Sequence, residues 1–326
     1  MIQTRCFPAD TRDDYADIRP EISVVVPVYN AAQTIAATIN SALAQSFRWF
    51  EIVAIDDGST DDSLDILLEL AAQDPRIRVV SKRNGGVSAA RNLGVELATA
   101  PLVAFLDADD LWARDKLGHH IALHREEPEL AASFARIAFI AQNAETLDGA
   151  QTVSTISSPM PQLVDVLGEN PVCTASNLVV RRDWFIMLGK FDERLKFAED
   201  QEFVARLVSR GGKVCGIDSV LTGYRFSPDG LSMDHAQMHA GWRVLIDRYI
   251  DDAAIRASLE ALYCRYLARR MLRSGASPLR ALKFVVRGLR LDARSFLAEW
   301  KRGLATVVAA CAAPLIPRAM RRRIFA

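Results

Sequence analysis

The sequence predicts an α/β fold: a doubly wound, mostly parallel sheet followed by an all-helical extension. Three observations carry this expectation. β-branched apolar runs alternate with helix-patterned segments between residues 22 and 112, as in a parallel sheet with crossover helices. Three of those runs end in polar or acidic clusters, which a parallel sheet gathers along one edge. Beyond Asp234 only helical patterning remains, and the charge changes sign.

The elements follow in order. Residues 1–20 are polar and irregular and read as a leader; Asp10, Asp13, Asp14 and Asp17 do not suit a signal peptide. Ile22-Ser23-Val24-Val25-Val26, closed by Pro27, is a buried strand. A helix from Ala31 to Gln45 follows, with Asn30 placed as its cap. The strand Glu51 to Ile55 runs into Asp56-Asp57-Gly58-Ser59-Thr60, which by itself reads as a turn and a helix cap. Asp61 to Ala72 is helical, Ile77 to Val80 is strand, and Asn84-Gly85-Gly86 opens a helix through Ala98. Leu102 to Leu106 is strand, and a helix is expected to begin near Trp112. Farther on come a strand near Phe134 to Ile140, a polar loop from Asn143 to Pro161 and a short strand from Asn177 to Val180. Ala198 to Val208 is helical, and Lys213 to Arg225 reads as two strands with a turn. The C-terminal helices break near Gly275 and Pro278, and again near Pro314 and Pro317.

With 326 residues, half of them apolar and a quarter charged, the chain suits one large α/β domain plus an appendage. Its zero net charge hides a division. Residues 1–261 hold 25 Lys and Arg against 38 Asp and Glu, whereas residues 262–326 hold 15 against 2. Leu279, Leu282, Val286 and Leu289 fall at helical spacing beside Arg280, Lys283, Arg287 and Arg290. Trp300, Leu304, Val307, Val308 and Ile316 likewise accompany Lys301, Arg302, Arg318, Arg321, Arg322 and Arg323. Such a tail either lies on an anionic membrane surface or packs on the acidic body or a second subunit. No recognised module or aromatic platform supports nucleic-acid binding. The scattered, odd-numbered cysteines (Cys6, Cys173, Cys215, Cys264, Cys311) point to a reducing cytosol rather than a disulfide framework or zinc site. The longest apolar run, Leu304 to Ile316, contains Pro314 and is too short to span a bilayer. The expectation is a cytoplasmic protein, soluble or peripheral on the inner face of the cytoplasmic membrane.

The chemistry centres on Asp107-Ala108-Asp109-Asp110, delivered by the strand before it. Carboxylates crowded at a strand end repel one another unless a cation joins them, and hard oxygen ligands suit Mg²⁺ or Mn²⁺. The bland alternative is a set of helix-capping aspartates. His120 and His124, and His235 and His239, stand four residues apart and read chiefly as solvated helix faces rather than metal clasps.

Four segments, ISVVVPVYNAAQTI (22–35), EIVAIDDGSTDDS (51–63), NGGVSAARNLGVELATAPLVAFLDADDLW (84–112) and GKFDERLKFAEDQEFVARL (189–207), occur in an order and spacing that resemble the family 2 glycosyltransferases of GT-A fold. The resemblance covers residues 20–226. It implies a Rossmann-like nucleotide-sugar domain over 21–230, between the leader and a helical, basic region 231–326. It further implies that Pro27 and Tyr29 wall and stack on the nucleobase, Asp57 accepts its imide N–H, and Asp107 lies near the ribose. Ala108 and Arg91 would join the donor site, Arg91 facing the diphosphate or standing as an exposed helix residue. Asp109 would hold the metal, and Asp110 would support it or act as a cap. Asp200 matches the family's general base, with Glu199 beside it; without the resemblance both read as an acidic first helical turn. The function implied is metal-dependent, inverting transfer of a UDP-linked sugar to a glycan or lipid-linked glycan. The absence of a Q-x-x-R-W motif and of a spanning segment favours addition of one sugar or a few. The alternatives are a nucleotidyltransferase, which lacks the expected early Gly-rich phosphate loop here, and a non-catalytic nucleotide-sugar-binding protein at the membrane.

Overall fold

The computed structural model describes residues 19–148, 150, 152–225, 234–274 and 276–317. Cys6, Asp10, Asp13, Asp14, Asp17, Gly275, Arg318 and the Arg321-Arg322-Arg323 run lie outside these. The chain forms two compact units: one of Met1–Met160, Val172–Arg194 and Arg206–Arg225, the other of Pro161–Pro171, Leu195–Ala205 and Phe226–Ala326.

The first unit is built on a nine-stranded sheet. β1 (Ile22–Val28) lies centrally and is buried at all seven positions, which is why its sequence is apolar without alternation. It pairs in parallel with β2 (Phe50–Asp56) and β4 (Leu102–Phe105), and β2 pairs in parallel with β3 (Ile77–Ser81). The crossovers are α1 (Ile35–Leu43), α2 (Ser63–Gln73) and α3 (Val87–Leu97). Gly94 lets α3 settle onto β1; a Cβ there would come within 2.3 Å of Val25 Cγ1. The rest of the sheet is mixed, in the order β4-β8-β6-β9-β5, through β8 (Val179–Arg181), β6 (Leu130–Ile140), β9 (Lys213–Arg225) and β5 (Leu111–Trp112). A two-residue strand, β7 (Thr152–Val153), pairs with β6 inside the expected polar loop.

Several expectations are corrected. α1 begins at Ile35, and Asn30 does not cap it; Asn30 has φ 49° and its side-chain oxygen accepts the Thr60 N–H at 2.8 Å. Trp112 does not start a helix but sits in β5, paired antiparallel with β9. The helix there, α4 (Lys116–Glu126), follows Asp115, so the acid cluster is no helix cap. Lys213–Arg225 is one strand, not two; shifts in its register against β6 absorb the irregularity that resembled a turn. Two short helices, α5 (Leu163–Gly168) and α6 (Arg182–Met187), were invisible in the pattern because six residues give too little periodicity.

The second unit is helical. It holds α5, the first residues of α7 (Glu199–Ser209), and α8 (His235–Tyr249), α9 (Ala253–Ser274), α10 (Pro278–Phe296) and α11 (Trp300–Ala312). Ala261, Ala268, Met271, Val285, Phe296 and Ala310 form the core between α9, α10 and α11. Trp242 on α8 stacks on Tyr263 at 4.9 Å and donates its indole N–H to the Leu167 carbonyl.

The histidine pairs are not solvated faces. His120 is fully buried, 3.2 Å from Lys116 Nζ and 2.7 Å from Ser133 Oγ, and His124 lies 3.0 Å from the same hydroxyl. His239 contacts Glu260 at 3.0 Å, and His235 is buried. Burial lowers the Lys116 amine from 10.5 to about 7 and is the main cause that lowers His124 to about 4. Because the folded pKa of Lys116 lies below the unfolded one, the unfolded chain binds more protons between pH 7 and 10.5, and stability rises with pH across that window. Lys116→Met should therefore raise the melting temperature most at pH 7 and below, with the gain over wild type shrinking toward pH 10.5. A gain independent of pH would contradict this.

Candidate active site

Parallel register brings three strand ends together. Pro27 pairs with Ile55, Val28 with Asp56, and Val25 with Phe105, so the residues after β1, β2 and β4 share one sheet edge. There Tyr29 is about half exposed, at 53%, while Asp57 is buried. Backbone bonds lock the edge: Asp57 N–H donates to Val28 O at 2.8 Å and Leu106 N–H to Val25 O at 3.0 Å.

The two carboxylates of Asp56-Asp57 do different work. Asp56 is structural, accepting the Ser59 N–H at 3.0 Å and the Ser81 hydroxyl at 2.7 Å. Asp57 accepts Lys82 Nζ at 2.5 Å and the N–H groups of Gly85 at 2.9 Å and Gly86 at 2.7 Å. It thereby holds the glycine turn before α3. Two of these donors share Oδ1 and one uses Oδ2, so Oδ2 keeps one acceptor site. Gly58 has φ +78°, and a Cβ there would meet Asn84 N at 2.9 Å, so glycine is required for both reasons.

The acid loop is fixed from several sides. Arg91 is no exposed helix residue; it is buried, donates to Asp107 Oδ1 at 2.5 Å and lies 5.7 Å from the Phe191 ring centre. The Thr174 hydroxyl donates to Asp107 Oδ2 at 3.2 Å, and Asp107 N–H donates to Ser176 Oγ at 2.8 Å. From α1, the Thr34 and Thr38 hydroxyls reach the Ala108 carbonyl at 2.9 Å, and Thr38 also reaches Asp110 O at 2.9 Å. Thr34, Thr38, Thr174, Ser176 and Lys82 were not anticipated from the sequence. The one available signal was the four-residue spacing of Thr34 and Thr38 at the start of α1.

The loop's own electrostatics suit a divalent cation. Burial first, and the charge of Asp107 second, push the Asp109 carboxyl up to about 6. Asp110 is buried; Oδ1 accepts the Arg225 N–H at 3.1 Å and Oδ2 has no hydrogen-bond partner. Burial and then the charges of Asp109 and Asp107 hold its carboxyl well above the usual carboxylate range. Among the described residues no group of three or more His, Cys, Asp or Glu is placed to enclose a metal.

Asp200 and Glu199 belong to the second unit. Ala198, at φ +60°, turns the chain into α7, a left-handed backbone that costs roughly 1–2 kcal/mol for a residue with a Cβ. Asp200 is 8% exposed; its Oδ1 accepts the Gln201 N–H at 2.6 Å and its Oδ2 accepts Asn170 Nδ2 at 3.3 Å.

Residues 23–189 match the model of glycosyl transferase family 2. The chain is 31% identical over 216 residues to TuaG of Bacillus subtilis, covering 66% of this chain and 82% of that one; its name gives it, provisionally, as a glycosyltransferase of teichuronic acid biosynthesis. It is 28% identical over 279 residues to the succinoglycan biosynthesis protein ExoU of Rhizobium meliloti, covering 77% and 78% of the two chains. Among solved structures it resembles S. aureus TarS 1–349 in complex with UDP-GlcNAc, with TM-score 0.58, 20% identity, and coverage of 90% and 92%. It also resembles the mannosyltransferase PcManGT of Pyrobaculum calidifontis in complex with GDP-Man and Mn²⁺, with TM-score 0.59, 19% identity, and coverage of 92% and 88%. The fold is that of the GT-A glycosyltransferases, a sheet with a parallel half and a mixed half followed by helices. The chain belongs to glycosyl transferase family 2, and the protein is a glycosyltransferase.

Thr38→Val should test how the acid loop is held. It keeps the shape but removes the hydroxyl shared between the two carbonyls; Ala108 O keeps Thr34 and Asp110 O loses its hydroxyl donor, at an expected cost of about 1–3 kcal/mol in denaturant unfolding. Nucleotide-sugar affinity should fall with it; unchanged affinity and stability would show that the loop keeps its form without α1.

Proposed function

We propose that the protein transfers a sugar, with inversion, from a UDP-linked donor to a glycan or lipid-linked glycan, and that the reaction depends on a divalent cation. The observation that carries this reading is the shared sheet edge, where Tyr29, Asp57 and the charge-crowded loop 107–110 follow β1, β2 and β4. Tyr29, exposed beside the end of β2, offers a ring for base stacking against the wall at Pro27. The free acceptor site on Asp57 Oδ2 suits an imide N–H. Asp107, oriented by Arg91 and Thr174, faces the ribose in this reading, and Ala108 presents its backbone to the donor. Asp109 would hold Mg²⁺ or Mn²⁺, which when bound neutralises charge on the leaving diphosphate. The complexes of TarS with UDP-GlcNAc and of PcManGT with GDP-Man and Mn²⁺ support a nucleotide-sugar donor and a cation.

Asp200 is assigned as general base. As the acceptor oxygen bonds to the anomeric carbon, its proton passes to the carboxylate and the bond to the nucleoside diphosphate breaks. Glu199 would orient the acceptor beside it. Incubation with a panel of labelled nucleotide sugars should release nucleoside diphosphate; release of pyrophosphate would mean nucleotidyl transfer instead. A positioned base contributes about 10²–10⁴-fold, so Asp200→Asn should lower kcat by at least about a hundredfold while donor affinity holds. Full activity in that variant would remove Asp200 from this role.

We also place the enzyme at an anionic membrane surface. Among the described residues no helix is long and apolar enough to cross a membrane. On α11, however, Trp300, Leu304 and Val308 are 65%, 50% and 59% exposed at four-residue intervals, with Lys301 beside them. Replacing these three by Ser should abolish co-sedimentation with phosphatidylglycerol vesicles and leave turnover of a soluble acceptor intact. Equal sedimentation would assign this face to another partner.

A further inference from the structure

The first unit buries a basic cluster that the proposed reaction does not use. Lys116, at the start of α4, is fully buried; its Nζ lies 3.2 Å from His120 Nε2 and 5.3 Å from the centre of the Trp112 ring. His120 Nδ1 lies 2.7 Å from Ser133 Oγ on β6, and the same hydroxyl lies 3.0 Å from His124 Nε2. His124 is partly exposed, so this chain of groups leads from the core toward the surface. An ammonium can only donate. A charged Lys116 therefore puts the His120 proton on Nδ1, facing Ser133, and turns the Ser133 hydroxyl to His124. The amine thus has a route by which its proton comes and goes.

The cluster abuts a residue on which the acid loop depends. Trp112 is buried in β5; its indole N–H donates to Ser176 O at 3.0 Å, and Ser176 Oγ accepts the Asp107 N–H at 2.8 Å. Lys116 and Asp107 are thereby joined through Trp112 and Ser176.

The charge on Lys116 changes near neutrality, because burial alone lowers its amine to about 7. The groups around it do not offset an ammonium. Burial first, then Lys116, His124 and His119, hold His120 well below its ordinary value, and burial and then Arg181 of β8 lower His124 to about 4. Asp115 faces His119, at 3.4 Å. Cys215 of β9, paired with Ser133, is raised by burial and then by Glu127, and stays a thiol. Ser41 and Gln45, which bond the backbone of Trp112 and Leu117, are uncharged. Among the described residues no carboxylate pairs with Lys116. An ammonium there has three N–H groups for one ring nitrogen and one aromatic face. It pulls on the Trp112 ring more strongly than a neutral amine does, which shifts the indole from Ser176 O and loosens the hold on Asp107.

We propose that Lys116 is a positioning residue for the donor site, acting on Asp107 through Trp112 and Ser176, so that proton uptake by the buried cluster weakens donor binding. This role rests on the reading of Asp107 as a donor residue.

UDP with Mn²⁺ is titrated calorimetrically into the full-length protein and its Lys116→Met, Trp112→Phe and Lys116→Met/Trp112→Phe variants at about pH 6, 7 and 8.5, on both sides of the value of about 7 at Lys116. Lys116→Met should bind as wild type does at the highest pH and about threefold to tenfold more tightly at the lowest, the weight of one hydrogen bond. Protons taken up by the acid loop itself are common to both proteins and cancel in this ratio. A ratio that stays constant with pH would leave Lys116 a purely structural role and overturn the proposal. Trp112→Phe keeps a ring but offers Ser176 no N–H. Adding Lys116→Met to it should give no pH-dependent change in affinity; the full pH-dependent ratio in that background would overturn the route through Trp112. The indole N–H resonance of Trp112 in ¹⁵N-labelled protein supplies a readout that needs neither nucleotide nor a folded Trp112→Phe. It should move with a midpoint near 7 in wild type and stand still in Lys116→Met. A resonance that is fixed in wild type while UDP binds overturns the proposal alone. A resonance that moves while UDP binds none of the proteins at any pH overturns the transferase reading and keeps the link from Lys116 to Trp112.

Discussion

The structure of the first unit depends on one constraint: carboxylates placed where the parallel strands end. Apolar strands such as β1 and β4 are stable only when buried, and their buried lengths bring the chain out at a common edge. What emerges there is acidic. Asp107, Asp109 and Asp110 lie within four residues, in surroundings dry enough to push Asp109 up to about 6 and to hold Asp110 well above the usual carboxylate range. Such an arrangement is costly for the isolated fold, and the fold answers by tying it down. Arg91 and Thr174 take the two oxygens of Asp107, and Thr34 and Thr38 take the loop carbonyls. Asp109 is the carboxylate proposed to meet a cation.

The same logic separates Asp56 from Asp57. Adjacent in sequence, they point into different networks because side chains alternate along a strand. Asp56 closes its own turn through Ser59 and Ser81, whereas Asp57 organises the glycine turn and keeps an acceptor site open. Stability and, in the proposed reading, base recognition are thus divided between neighbours.

Much of this was legible in the sequence. The strand ends, the alternation of strands and helices, and the acid cluster follow from periodicity and composition, which depend on local burial. What was not legible depends on contacts between distant segments. Arg91 could equally be an exposed helix residue until α3 is seen to place it against Asp107. Asn30 looks like a helix cap, because its left-handed backbone and its bond to Thr60 belong to the packing of two loops. His120 and His124 read as a solvated helix face, yet both meet Ser133 of β6 and His120 is fully buried. Lys213–Arg225 looked interrupted because register shifts against β6 mimic a turn. In each case tertiary pairing overrode a local signal.

The central proposal is that a divalent cation offsets the negative charge of the edge carboxylates and of a nucleoside diphosphate together, so that the nucleotide binds only with the cation. Calorimetric titration of UDP into the protein, with Mn²⁺ present and again with a chelator, tests it most directly. Tight binding with the cation and none with the chelator is the expected result. Equal affinity under both conditions would contradict the account.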